Sequence, residues 1–417
     1  MKYKVFFICL LVPLFSSCFL FINGNDESSY STDIAWKSDS SWVNHYGYIS
    51  LVDSAVYAFG EAAPGSGGEL LVKVDANTGS VIWKTEPFPS AQLVAPIVIG
   101  EYVYIFINDS LIYSFEVETG ELSAIIETDT ENTGLEIEWN VIAYENYLCF
   151  GIQIGRGENY LAKLDTHVID RFLNPTEPQH IQPEMVWNPQ TEGRVYAQLV
   201  TRDNIIYSLS TSFMINDDPV ELVGINMDTK TEVFHNWIDY DDGMAAFPLL
   251  INNDLIYILS ESISAYNLNT GKQVFLKTFS DDTPDKEWYS SASSLGLTYH
   301  NGKIYYTNGN SGHPGDGDDY QNIFCIDAQT GELVWSDIPL DSESLGTNPI
   351  IHNNRMYVPH GYGLRVYNPK NGKLIGVDKS FCGAGMGRNL LYNNYMITVR
   401  CDENTGDGTL VAVNLGG

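Results

Sequence analysis

The decapeptide IDAQTGELVW (326–335) joins an apolar strand end to a tight polar turn and a second strand closing on tryptophan. Near copies stand elsewhere: VDANTGSVIW at 74–83, FEVETGELSA at 115–124 and YNLNTGKQVF at 266–275. Aligning the first polar residue of each turn gives Asp75, Glu116, Asp165, Asn226, Asn267, Asp327, Asn368 and Asn414. Three of the intervals, Asp75 to Glu116, Asn226 to Asn267 and Asp327 to Asn368, are 41 residues, and the others are longer. A fixed minimal period with insertions marks a repeat architecture. A period near 40 residues fits a four-stranded propeller blade.

Each unit carries the same parts. An apolar strand, a tight turn and a strand rich in Ile, Val and Tyr come first, as in FPLLINNDLIYILS (247–260) and NPIIHNNRMYVPH (348–360). Asn-Asn and Asn-Gly at the turn tolerate the positive φ that two-residue hairpins require. A third strand follows, then the D/N-x-x-T/N-G turn and a fourth strand. The leading Asp or Asn can accept hydrogen bonds from backbone N–H groups ahead of it. Gly79, Gly120, Gly271, Gly331 and Gly372 supply the left-handed residue that closes the hairpin. Ile169 and Lys230 replace that glycine after Asp165 and Asn226, so those two turns are expected to be distorted or longer. Eight turns predict an all-β, eight-bladed propeller of four-stranded antiparallel blades over residues 33–417. The last unit lacks its fourth strand. DIAWKSD (33–39) resembles SVIWKTE (80–86), so residues 33–38 are expected to pair with 409–415 and close the ring, removing two exposed edges.

The N-terminus reads as an export signal. Lys2 and Lys4 precede an apolar stretch, and SSC (16–18) follows it. Residues 1–17 are expected to be a lipoprotein signal peptide, with Cys18 the lipidated residue and 18–32 a tether. The competing reading is an uncleaved anchor helix over Val5–Ile22, long enough to span a bilayer. Both place the body in the cell envelope. The formal net charge of -31 argues against nucleic acid and against anionic lipid contact without a covalent anchor. No CxxC occurs among the six cysteines, which disfavours a zinc site. Cys382 and Cys401 flank one predicted hairpin. They read either as a disulfide or as two buried thiols.

At Asp75, Thr78, Gly79, Trp83 and at Asp327, Thr330, Gly331, Trp335 the turn resembles the PQQ-like propeller repeat, A-x-D-x-x-T-G-x-x-x-W. The resemblance extends over nearly all of the chain after residue 33. It implies that the Trp, here also Trp36, docks between neighbouring blades. Phe234, Phe275 and Ala124 stand where other repeats would have it. The family has an enzymatic branch, the quinoprotein dehydrogenases, which hold pyrroloquinoline quinone and calcium at one end of the ring axis. This sequence has neither the adjacent Cys-Cys pair many of them carry nor a C-x-x-C-H haem site. The other branch is non-enzymatic, the BamB-like lipoproteins of outer-membrane protein assembly. An eight-bladed ring with a lipobox and no second domain resembles that branch, which implies a monomeric ring, no cofactor and a protein partner in the envelope.

Turns between first and second strands are short throughout. The long connections include GEAAPGSGGE (60–69), ETDTENTGLE (127–136), SDDTPDKEW (280–288), GNSGHPGDGDDYQ (309–321) and a Pro-rich stretch over 170–193. They are assigned to one decorated, acidic face, the expected place for a partner or ligand; tolerated drift in exposed loops is the plainer reading. Within GDGDDY, Asp316, Asp318 and Asp319 are candidate calcium ligands, set against a solvated acidic loop that lacks the EF-hand Glu. No nucleophile–base pair or phosphate-binding glycine loop is recognisable. Three functions follow: an envelope scaffold that binds protein, a remnant of a quinone- and calcium-dependent dehydrogenase, and a surface-displayed binder of glycan or host ligand.

Overall fold

The computed structural model describes residues 30–38, 48–62, 68–89, 91, 94–107, 110–128, 135–154, 158–169, 171, 175–188, 193–195, 199–212, 220–238, 248–259, 262–278, 296–309, 321–337, 348–360, 363–381, 389–401 and 408–416. Eight sheets follow one another along the chain, antiparallel except for one strand added to the edge of the second. Blade I is Ile49–Val52, Ala55–Glu61, Gly68–Asp75 and Val81–Lys84; blade II is Ile97–Ile99, Tyr102–Phe106, Leu111–Glu116 and Leu122–Glu127. Blade III is Leu135–Tyr144, Tyr147–Ile154, Glu158–Asp165 and Glu184–Trp187. Blade IV has two inner pieces, Gly193–Val195 and Val200–Arg202, then Ile205–Ser212, Val220–Asn226 and Thr231–Ile238. Blade V is Leu249–Asn252, Leu255–Leu259, Ser262–Asn267 and Gln273–Thr278; blade VI is Thr298–His300, Lys303–Gly309, Gln321–Asp327 and Leu333–Asp337. Blade VII is Ile350–His352, Arg355–His360, Gly363–Tyr367 and Leu374–Asp378.

Blade VIII takes Leu390–Tyr392, Tyr395–Cys401 and Gly408–Asn414 from the C-terminus and its fourth strand, Asp33–Lys37, from the N-terminus. Asp33 lies opposite Asn414 and Lys37 opposite Val411, so the ring closes as the sequence predicts. The packed chain begins earlier than the expected boundary at 33. The Tyr30 amide donates to the Val377 carbonyl at 3.0 Å and the Thr32 amide to Asp378 Oδ2 at 2.6 Å.

The core is distributed among the seams between blades. Val56, Val72 and Val74 of blade I pack with Ile397, Leu410 and Ala412 of blade VIII. Tyr57 and Trp83 pack with Val103 and Phe115 of blade II. Comparable apolar clusters fill the remaining seams around the ring. This follows from strands that read apolar on both faces: Ala55–Gly60 and Gly363–Tyr367 are buried residue after residue. A sheet sandwiched between two others buries both sides, as parallel sheets do in other folds.

The first-to-second turns close on left-handed residues: Asp53, Glu145, Asp203, Asn253, Asn301, Asn353 and Asn393 all have φ between 47° and 54°. Asp203 marks the turn of blade IV, which the sequence pattern does not single out because TRDN carries no Asn-Asn or Asn-Gly. The Asn226 turn corrects the expectation of distortion. Lys230 adopts φ 54°, and its amide donates to the Asn226 carbonyl at 2.8 Å as a glycine's would. The Asp165 turn does depart from the repeat. It runs into a 3-10 turn, Thr166–Val168, and the chain returns to blade III only at Glu184–Trp187. On the way Pro178–His180 pairs in parallel with Ile125–Glu127, adding a fifth strand to the outer edge of blade II. The Pro-rich insertion is therefore a third-to-fourth-strand connection that reaches the rim, where the sequence pattern assigned it to the decorated face.

Candidate interaction surface

The repeated turn has the predicted chemistry. Asp327 Oδ1 accepts from the Gln329 amide at 2.9 Å, the Thr330 amide at 3.0 Å and the Thr330 hydroxyl at 3.3 Å. The backbone bond from Gln329 leads the effects that hold this carboxyl below its ordinary range. Asp75 makes the same three bonds, and Asn267 copies them with an amide oxygen.

One fourth-strand residue repeats in register. Opposite the residue two before each turn stand Trp83, Ala124, Phe234, Phe275, Trp335, Gly376 and Trp36, with Glu184 in that place for the Asp165 turn. A bulge beside Trp83 and beside Trp335 aims the side chain into the seam. Trp83 Nε1 donates to the Val117 carbonyl at 2.8 Å, Trp36 Nε1 to Ala76 at 3.0 Å and Trp335 Nε1 to Pro369 at 2.9 Å. Every acceptor is the residue after the turn acid or amide of the next blade. A second-strand tyrosine converges there: Tyr305 Oη reaches Pro369 at 3.1 Å, Tyr257 Oη reaches Ala328 at 3.0 Å and Tyr357 Oη reaches Leu415 at 2.7 Å. Burial pushes the Tyr257 and Tyr357 hydroxyls up to about 12, so they remain donors at any physiological pH. Gly120 lies under Trp83, Gly79 under Trp36, Gly372 under Trp335 and Gly331 under Phe275. Gly271 is different. The nearest heavy atom to the point its Cβ would occupy is Asn236 Nδ2 at 3.8 Å, and Phe234 packs edge-on against Tyr207. The repeat residues thus build seams.

Chemistry is sparse elsewhere. Cys149 and Cys325 are buried free thiols, pushed by burial up to about 12 and about 11, far from the thiolate a nucleophile needs. No group of three His, Cys, Asp or Glu among the described residues has metal-binding geometry. The first strands line the ring's inner edge, where those of adjacent blades touch. Their polar side chains are bonded across the seams: Ser50 Oγ to the Pro96 carbonyl at 2.5 Å, Thr298 Oγ1 to Pro349 at 2.6 Å, and Asn389 Nδ2 to the Asn348 carbonyl at 2.9 Å. These residues do not form the carboxylate-rich donor set that calcium beside a quinone requires. Asp316, Asp318, Asp319, Cys18 and Cys382 lie outside the described residues, as does the side chain of Cys401.

Surface character concentrates on the rim. The fourth strands of blades IV to VI, unlike that of blade II, gain no added strand among the described residues. They carry exposed Val233 and Trp237, then Val274 and Leu276, then Leu333 and Val334. In Gln273–Thr278 the alternation inverts the usual rule for an edge strand, with Phe275 inward and two aliphatic side chains outward. Single exposed aliphatic residues, Ile82 and Ile375, also stand on the fourth strands of blades I and VII, and blades IV to VI carry two exposed apolar residues each. Trp237 lies on the His235 ring, centroids 5.1 Å apart; His235 Nε2 is 3.2 Å from the buried Glu221 carboxylate and Nδ1 2.9 Å from Glu232. Sequence inspection missed this rim because the repeat explains Phe275 and leaves its neighbours unremarked.

Fold and seams together define a closed eight-bladed ring of PQQ-like repeats. The family model described as outer membrane protein assembly factor BamB matches residues 33–229 and 248–375, and the chain belongs to that family. No curated protein sequence matches it. Among solved structures it is similar to a europium-containing methanol dehydrogenase, at 11% identity and a TM-score of 0.64, covering 93% of this chain and 95% of that one. It is also similar to the quinohemoprotein alcohol dehydrogenase from Comamonas testosteroni, at 12% identity and a TM-score of 0.64, covering 92% and 77%. BamB from Moraxella catarrhalis aligns over 93% of this chain and 87% of its own at 16% identity, with a TM-score of 0.41. Identities this low speak for the fold alone.

Proposed function

We propose that the protein is a cell-envelope lipoprotein, anchored through Cys18, whose rigid ring is a binding scaffold for another protein in outer-membrane protein assembly. The observation that carries this reading is the family match, which covers residues 33–229 and 248–375 under the description of an outer-membrane assembly factor. The exposed apolar residues on blades IV to VI supply a place for the partner, and the net charge of -31 favours one with basic character. The ring acts by binding, as a monomer, without a cofactor.

Affinity capture from solubilised envelopes with the intact protein tests the reading. Recovery of β-barrel assembly subunits is expected, and a Val274→Glu/Leu276→Glu variant of unchanged thermal midpoint should recover less than a tenth as much. Capture that yields no assembly subunit sinks the proposal. The anchor is checked in the same preparation, since Cys18→Ala should move the protein from the membrane to the soluble fraction.

A further inference from the structure

Three blades lack the large aromatic: Glu184 stands at its register position in blade III, and two blades put a small residue there. Ala124 and Gly376 occupy the register positions that Trp83 and Trp335 hold in other blades. The seams at Ala124 and Gly376 are nevertheless filled, each by a residue from outside the repeat.

Between blades II and III the filler is Arg171, from the Pro-rich insertion. Its guanidinium lies over the Tyr102 ring at 3.7 Å and donates through Nη2 to Tyr104 Oη at 2.6 Å. Nη1 donates to the Thr166 carbonyl at 3.1 Å. Thr166 follows the turn residue Asp165, so this carbonyl corresponds to Ala76, Val117 and Pro369, which tryptophan indoles bond elsewhere. Tyr104 in turn corresponds to Tyr305 and Tyr357.

Between blades VII and VIII the filler is Tyr30. It packs against the apolar cluster that spans that seam, which includes Tyr357 and Val366 of blade VII and Met396 and Val411 of blade VIII. Its phenol stands close enough to Tyr357 and Arg355 to enter the electrostatics of both. Tyr357 Oη holds the Leu415 carbonyl, the acceptor a blade VII tryptophan would share. The Tyr30 amide bonds the Val377 carbonyl, next to the buried Gly376.

We propose that Tyr30 is the displaced aromatic of blade VII, and that residues 30–37 form a two-blade clasp: Tyr30 locks the seam between blades VII and VIII, and Asp33–Lys37 completes blade VIII. Residues 30–32 are then a bound part of the ring rather than slack tether. The proposal does not depend on what the ring binds. Tension or proteolysis acting on the preceding residues would release Tyr30 before it unzipped the closing strand.

The test uses the full chain with three variants, Tyr30→Ala, Gly376→Trp and both together, read by hydrogen exchange and thermal melting. Tyr30→Ala should speed amide exchange about tenfold or more in 355–378 and 395–415 while leaving blades IV and V unchanged. Gly376→Trp alone should lower the midpoint, because two aromatics compete for one slot. It should raise the midpoint in the Tyr30→Ala background, because the slot is then vacant. Equal effects of Gly376→Trp in both backgrounds would overturn the proposal. So would Tyr30→Ala exchange that matches the parent across that seam, a readout that stands even if the double variant does not fold.

Discussion

Gly331 shows why a turn motif recurs in a chain that uses it only for building. Its φ is 70°, and a Cβ placed on it would sit 2.5 Å from Cδ2 of the buried Phe275 ring. Two separate constraints therefore select glycine: left-handed backbone and the close approach of the neighbouring blade. Gly100 has only the first, with φ 59° and no heavy atom within 4 Å of the point a Cβ would occupy. Gly331→Ala should cost about 2–4 kcal/mol, from backbone strain plus overpacking, and Gly100→Ala about 1 kcal/mol. Urea titration of the two variants against the parent protein separates the contributions. Equal losses would mean that the aromatic yields and that the seam is loosely packed. Lys230, with φ 54° in an otherwise regular turn, shows that backbone strain alone is tolerated where no ring presses from the preceding blade.

At the scale of elements, Arg171 converts an irregular connection into part of the framework. Its fork joins the Thr166 and Ile169 carbonyls, 3.1 and 3.3 Å away, to the Tyr104 hydroxyl. A lysine cannot span those three acceptors in one plane. Arg171→Lys should therefore lose about 1–3 kcal/mol, close to the loss in Arg171→Ala, because the buried acceptors stay unsatisfied in both. Chemical denaturation followed by far-UV dichroism measures this, and full rescue by lysine would reduce Arg171 to a surface charge. The regular strands and the closing strand were legible in the sequence because they repeat: the position of Trp83 can be read from that of Trp335. Arg171 and Tyr30 were not, since each fills a slot defined by a neighbour far along the chain, and no local pattern marks the residue that fills an absence. The apolar rim was hidden for a related reason. Val274 and Leu276 flank Phe275, and an unbroken Val-Phe-Leu run reads as buried on both faces until the sheet order shows the strand to be an edge.

For the whole molecule, the placement of the core decides how the ring unfolds. Every apolar cluster belongs to two blades, so no blade keeps a complete core when its neighbour is lost. Open repeat arrays fray from their ends because their nearest-neighbour terms run out there. A ring has no end as long as Asp33–Lys37 stays paired with Gly408–Asn414. Trp36 sits at that junction, 8% exposed, stacked on Gly79 and bonded to the Ala76 carbonyl at 3.0 Å. Trp36→Ala removes a large buried ring from the one seam that joins the two ends of the chain. It should cost about 3–5 kcal/mol. Because the seams are mutually dependent, this loss should lower the stability of the whole ring in a single transition. Tryptophan fluorescence, reporting partly on Trp335 across the ring, and far-UV dichroism should shift together to lower urea. If the fluorescence transition stays at the parent midpoint while part of the dichroism moves ahead of it, blade VIII has detached alone, and the seams are weaker than the shared clusters imply.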